Sequence, residues 1–134
     1  MIAAGIGCRS GCAPEDIVAA VRGAVAASGL CLADVRALYS AEFKASEPNL
    51  RRAADALDKP LELLPAAALQ KQAGGAASRS PQVLARFELP SVAETAALAG
   101  AFELGQRRSP VRLLAPRLVA GAATCALARV EDGP

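Results

Sequence analysis

Residues 1–6 are an apolar run ended by glycines, which predicts a short buried strand, and residues 7–13 follow as a loop. Pro14 fits a first helical position, with Glu15 and Asp16 in the first turn. Ile17, Val18, Val21, Ala24 and Val25 then recur at helical spacing until Gly29 closes the helix. A second strand is expected over 35–40. Beyond a polar loop, Leu50, Ala53, Ala54 and Leu57 share one face of a helix that Ser46 is expected to cap and Asp58-Lys59-Pro60 to stop. Residues 61–64 predict a third short strand and 65–72 a short helix.

The second half begins with "AGGAASRSPQ" (73–82), whose glycine, serine and proline content predicts a weakly ordered loop, with an extended segment over 83–87. Ser91-Val92-Ala93-Glu94 has the pattern of a capping box: serine accepts from the third helical amide, glutamate reaches back, and a helix runs through about Phe102. "VRLLAP" (111–116) and "ATCALARV" (123–130) read as two strands joined by "RLVAGA", and so short a connection implies an antiparallel pair. The earlier strands alternate with helices and are expected to be parallel. Together these elements predict an α/β fold: a three-layer α/β/α arrangement with a mixed, mainly parallel sheet of about five strands and a C-terminal antiparallel pair. One domain is expected over 1–130, with a tail at 131–134.

The composition fits that picture and narrows the chemistry. A chain of 134 residues is the size of one ordinary domain, and with 53% hydrophobic but only 3% aromatic residues its core must be Leu, Val and Ile packed on small helix faces. The net charge is +2 with no long basic run, which argues against nucleic acid as a partner. No long apolar segment suggests a membrane span, and the start lacks the basic flank of a signal peptide, so a cytoplasmic location is expected. The chain has no histidine, which removes imidazole bases, Ser-His-Asp and Cys-His arrangements, and imidazole metal ligands. Proton transfer would fall to Asp, Glu, Lys, Cys or the single Tyr39.

The candidate chemistry gathers at "GIGCRSGC" (5–12). Gly5, Gly7 and Gly11 follow a strand and precede a helix, and Glu42 follows the second strand, so a nucleotide-binding module is one reading. Against it, the helix begins only near Pro14, behind two carboxylates that would repel a pyrophosphate, and the glycines alternatively make no more than a tight turn. Of the four cysteines, Cys8 and Cys12 do not form the paired knuckles of a structural zinc site, so no metal is expected. Cys31 and Cys125 read as small core residues, while Cys8, in a glycine loop before a helix, stands where a thiolate is favoured. If the first two strands are parallel neighbours, Cys8, Arg9 and Ser10 meet Glu42, Lys44 and Glu47 at the carboxyl edge of the sheet, where open α/β sheets bind ligands. Arg9 and Lys44 suit a carboxylated ligand; alternatively, Lys44 and Glu47 are a solvated loop pair. Arg107 and Arg108 are expected to be solvated and unpartnered.

"GIGCRSGCAPEDIVAAVRGAVAASGL", "FKASEPNLRRAADALDKPLELLPAAAL", "PSVAETAALAG" and "TCALAR" together, in order over nearly the whole chain, resemble the CobE/CbiG C-terminal family of cobalamin biosynthesis. The matching features are a GIGCR loop, a K-x-x-E-P segment, an S-V-A-E helix start and a closing strand. Larger members of the family join this domain to an N-terminal partner and open a lactone ring on a cobalt-containing precorrin with loss of a two-carbon fragment. This chain looks like the family's stand-alone form. The resemblance implies binding of a precorrin or corrin intermediate, as carrier or accessory enzyme, with lactone hydrolysis as the alternative and other corrin-pathway enzymes as further partners. It implies no cofactor. The ligand-binding residues then expected are Gly7, Cys8, Arg9, Ser10, Gly11, Lys44 and Glu47, with the 73–82 segment placed to close over them. Cys8 and Glu47, the latter matching the glutamate of the K-x-x-E-P segment, are the catalytic candidates if chemistry occurs.

Overall fold

The computed structural model describes residues 1–79, 84 and 89–131. In chain order the elements are β1 (Ile2–Cys8), α1 (Pro14–Ala27), β2 (Val35–Ala41), α2 (Pro48–Leu57), β3 (Leu61–Leu64), α3 (Ala66–Gln70), α4 (Val92–Leu104), β4 (Val111–Leu113), β5 (Leu118–Ala120) and β6 (Ala123–Val130). The strands form one sheet in the order β3-β2-β1-β6-β4, with β5 also on β6. β1 pairs parallel with β2, and β2 with β3; β6 runs antiparallel to β1, β4 and β5. The expected mixed α/β sheet with a C-terminal antiparallel pair is therefore present. Six strands are described rather than about five, because "RLVAGA" contains β5. β4 and β5 lie along the same side of β6, at Val111↔Val130 and Leu118↔Cys125, and the gap between them contains Pro116, which has no amide to give a ladder.

Alternation along β1 sorts the core into two layers. Ile2, Ala4, Ile6 and Cys8 pack with Ile17 and Val21 of α1 and Leu50 and Leu57 of α2. On the opposite face, Ala3 packs with Tyr39, Ala93, Ala97 and Leu69. All ten residues from Val92 to Ala101 of α4 are buried, so this helix is apolar on every side and sits inside the molecule. Gly5 explains how it comes so close: a Cβ there would run into the carbonyl of Ala93 and the amide of Ala97. A Cβ on Gly7 would lie 3.5 Å from the Ala93 nitrogen and 2.6 Å from Thr124 Oγ1. The strand glycines thus admit a helix backbone against the sheet. Helix α1 begins at Pro14 with Glu15 and Asp16 in its first turn, the acidic start that weighs against a phosphate loop.

Several local expectations are corrected. The N-cap position of helix α2 is Glu47 and not Ser46, because Pro48, with its fixed φ and no amide, takes the first helical position; no side chain caps the helix, and the Glu47 carboxylate turns to the Gly11 amide instead. Cys31 is exposed at the start of a 3-10 turn (Leu32–Asp34). Residues 73–79 are built rather than loose, with a 3-10 turn at Ala73–Gly75 and the amides of Ala77 and Ser78 bonded to Glu94. The rest of that segment and the extended stretch expected over 83–87 fall outside the described residues, Leu84 apart. Ser91 Oγ does accept from the Glu94 amide (3.3 Å), but the Glu94 carboxylate turns away to the 77–78 loop and Arg117. Arg107 is not unpartnered: it pairs with Glu103 one helical turn back at 2.9 Å. Glu131, assigned to the tail, ion-pairs with Arg112 of β4. Among the described residues no helix is long and apolar enough to cross a membrane.

Candidate functional site

Because β1, β2 and β3 are parallel, they end on the same edge of the sheet, at Cys8, Ala41 and Leu64. The chain leaving β1 turns at once: the Cys12 amide donates to the Arg9 carbonyl at 3.0 Å, with Gly11 at φ 73°, a conformation that costs a side-chain-bearing residue strain. The turn is tied on two sides. The Arg9 amide donates to Ala122 O (3.1 Å) in the β5–β6 hairpin, whose own Ala122 amide donates to Asp16 Oδ2 of α1 (3.2 Å). From the other side, Glu47 Oε2 accepts the Gly11 amide at 3.2 Å, and Asn49 Nδ2 donates to the Cys12 carbonyl at 2.8 Å. The GIGCR loop and the K-x-x-E-P segment, 36 residues apart at Gly11 and Glu47, are thus joined directly.

The charges at this edge are arranged unequally. Glu47 and Asp16 both accept main-chain amides. Arg9 and Ser10 are exposed and Lys44 half-buried, and among the described residues neither Arg9 nor Lys44 has a side-chain hydrogen bond or ion pair. The alternative of a Lys44–Glu47 ion pair is not realised; the two are linked through the Glu47 amide and Lys44 carbonyl at 3.0 Å, a turn. Glu42, the residue weighed for a ribose, is exposed in the 3-10 turn Glu42–Lys44.

Cys8 does not stand in the open loop. It is the last residue of β1 and points into the layer under α1 and α2. Burial pushes its thiol pKa up; a hydrogen bond from the Cys12 thiol and the charge of Lys44 pull it down, and Glu47 pushes it up again. The net direction is upward, so the group is a thiol at neutral pH and the favoured thiolate is not found. Cys12 is pushed to about 12, first by burial and then by its bond to Cys8. The arrangement therefore offers two free cations, a hydroxyl and a tight backbone turn for holding an anion, and no activated sulfur nucleophile. Sequence reasoning brought Cys8, Arg9, Ser10, Lys44 and Glu47 to one edge correctly in geometry. Not expected were the roles of Asn49, one residue beyond the K-x-x-E-P segment, of Asp16, read only as a first-turn acid, and of Glu94, read as the glutamate of a capping box.

This sheet edge belongs to an α/β domain of a recognisable kind. Residues 2–128 match the family model described as cobalamin synthesis G C-terminus, and the chain belongs to that family. Within it the chain is CobE-like. It is 34% identical over 124 residues to "Protein CobE" of Sinorhizobium sp, covering 92% of this chain and 77% of that one. The crystal structure of CobE, a protein from the cobalamin (vitamin B12) biosynthetic pathway, superposes with a TM-score of 0.92 at 36% identity, over 100% of this chain and 93% of that one. Cobalamin biosynthesis protein chiG from Agrobacterium tumefaciens str. C58 gives a TM-score of 0.74 at 37% identity, over 98% and 100% of the two chains. A putative cobalamin biosynthesis protein G homolog from Sulfolobus solfataricus shares the fold at 19% identity, with a TM-score of 0.62 over 97% of this chain and 37% of its own.

Proposed function

We propose that this cobalamin-pathway protein binds a precorrin or corrin intermediate at the carboxyl edge of its sheet, as a carrier or accessory enzyme. One observation carries the reading: Glu47 and Asp16 hold backbone amides, and among the described residues Arg9 and Lys44 have no ion-pair partner. Corrin intermediates present acetate and propionate groups around a large apolar ring, and guanidinium and ammonium groups hold carboxylates by charge-assisted hydrogen bonds. Gly7, Ser10 and Gly11 shape the turn that presents Arg9, and Cys8 lies beneath it. Glu47 is the candidate acid or base if a lactone is opened, and Cys8, as a protonated thiol, supports holding a ligand more than attacking one. Free thiols at Cys8 and Cys12, in hydrogen-bond contact, suit a reducing compartment such as the cytoplasm. Other enzymes of the pathway are the partners that would load and unload such a carrier.

The test is a spectral titration of the protein with corrin-pathway intermediates, repeated with Arg9→Ala and Lys44→Ala. Each substitution removes a charged donor and is expected to weaken binding by about tenfold or more. Wild-type affinity in both variants would move the ligand away from this edge.

A further inference from the structure

We infer that Glu94 is a positioning residue for the strand exit at Gly7–Arg9, acting through backbone amides and touching no ligand. The residue is 0% exposed, and among the described residues it forms no ion pair. A carboxylate removed from water without a counter-charge persists only where hydrogen bonds replace its hydration. Here four do. Oε1 accepts from the amides of Ala77 (3.0 Å) and Ser78 (2.7 Å), and Oε2 accepts from Ser78 Oγ (2.8 Å) and the Arg117 amide (2.8 Å). Two consecutive amides converging on one oxygen form an anion-holding nest, and the anion in it belongs to the protein itself.

The three segments so joined flank the candidate site. The first turn of α4, which carries Glu94, lies on Gly7. Arg117 leads into β5, and the β5–β6 hairpin supplies the carbonyl that takes the Arg9 amide. The 77–78 loop is the third. One buried carboxylate therefore fixes where the helix start and the hairpin stand relative to each other, and the strand exit that delivers Arg9 runs between them. A glutamine cannot replace it without loss. All four partners are donors, and an amide NH₂ placed at Oε2 would face the Arg117 N–H, while the Ser78 hydroxyl alone is able to rotate and accept.

This inference rests on the ligand-binding role proposed for Arg9. The experiment combines amide hydrogen exchange with the intermediate titration in Glu94→Gln, Arg9→Ala and the double variant. In Glu94→Gln, exchange at Arg117 is expected to rise about tenfold and affinity to fall about tenfold, while the Gly11 amide, held by Glu47, stays protected. In the Arg9→Ala background the same substitution should cost little further affinity, since its effect passes through the placement of Arg9. Losses that multiply independently, or wild-type affinity in Glu94→Gln, would overturn the positioning role. Should Glu94→Gln fail to fold, Ser78→Ala, which keeps the charge and removes one donor, is expected to weaken binding about threefold, and an unchanged affinity and exchange pattern there would overturn the role as well. If the wild type binds no intermediate, the proposed function fails and this role falls with it; wild-type binding that ignores Glu94 removes this role alone.

Discussion

Gly5 and Ile6 are neighbours on β1, yet they meet the two faces of the sheet in opposite ways. Ile6 is fully buried among the aliphatic side chains of α1 and α2, so that face is held by side-chain volume. Gly5 has no side chain, and the backbone of α4 occupies the space where one would be, so the other face is held by closeness of main chain to main chain. A volume-filled layer loses stability by degrees when an atom is removed, because neighbours relax partway into the space. A layer in which a helix backbone rests on a strand backbone has no soft atom to move. The second kind of packing also extends to the candidate site, for it seats the start of α4 on Gly7 at the strand exit.

The sharpest way to break this contrast is Gly5→Val, which drives a branched side chain into Ala93 and Ala97 and is expected to leave no folded protein by circular dichroism. A cooperative unfolding curve close to that of the wild type would show that α4 can shift after all. Next in size, Ile6→Ala is expected to fold and to lose about 2–5 kcal/mol, read as a lower urea midpoint at unchanged slope.

A smaller effect separates the faces by pH. Burial raises Cys125, on the α1–α2 side, from 9.0 to about 12, and burial together with Glu62 and Glu103 raises Tyr39, on the α4 side, from 10.0 to about 12 against a small opposing pull from Arg36. Between those values the unfolded chain has released protons that the folded chain keeps. The folded state therefore binds more protons, and stability falls as pH rises from 9.0 toward 12. Cys125→Ala should remove one part of the decline that begins at 9.0, to which the raised thiols of Cys8 and Cys12 also contribute, and leave the tyrosine part, which begins nearer 10.0; an unchanged curve in urea titrations across this range would contradict the assignment. Smallest of all, Cys31→Ser at an exposed turn should change stability by less than about 0.5 kcal/mol.

The strands and helices with strong periodicity were legible because each carries its pattern locally. The apolar run of β1, the Pro14 start of α1 and the α2 face at Leu50, Ala53, Ala54 and Leu57 all stand where the local pattern puts them. Misreadings came where two structures share one local pattern. A serine followed three residues later by glutamate describes a capping box, and equally a one-way cap whose glutamate serves a loop 16 residues upstream and an amide 23 residues downstream. Ser46 and Glu47 are both acceptable before a helix, and only the place of Pro48 decides between them. β5 is three residues long, too short to show a period, and exists because β6 is longer than β4. At the site, parallel pairing of β1 and β2 was enough to bring Arg9, Lys44 and Glu47 to one edge. That Glu47 would take the Gly11 amide instead of pairing with Lys44 depends on a turn geometry that no residue count reveals.

The broken line of β4 and β5 has a further consequence for the molecule in a crowded solution. An outermost strand is a row of unused amides and carbonyls, and a long flat one invites another chain to add to it. Here one boundary of the sheet is interrupted at Pro116 and preceded by Pro110, and the other, β3, is four residues long between Pro60 and Pro65. Neither side offers a foreign strand more than a few consecutive bonding positions. In a chain so rich in alanine and leucine, the placement of the prolines works against fibrous self-association through these edges.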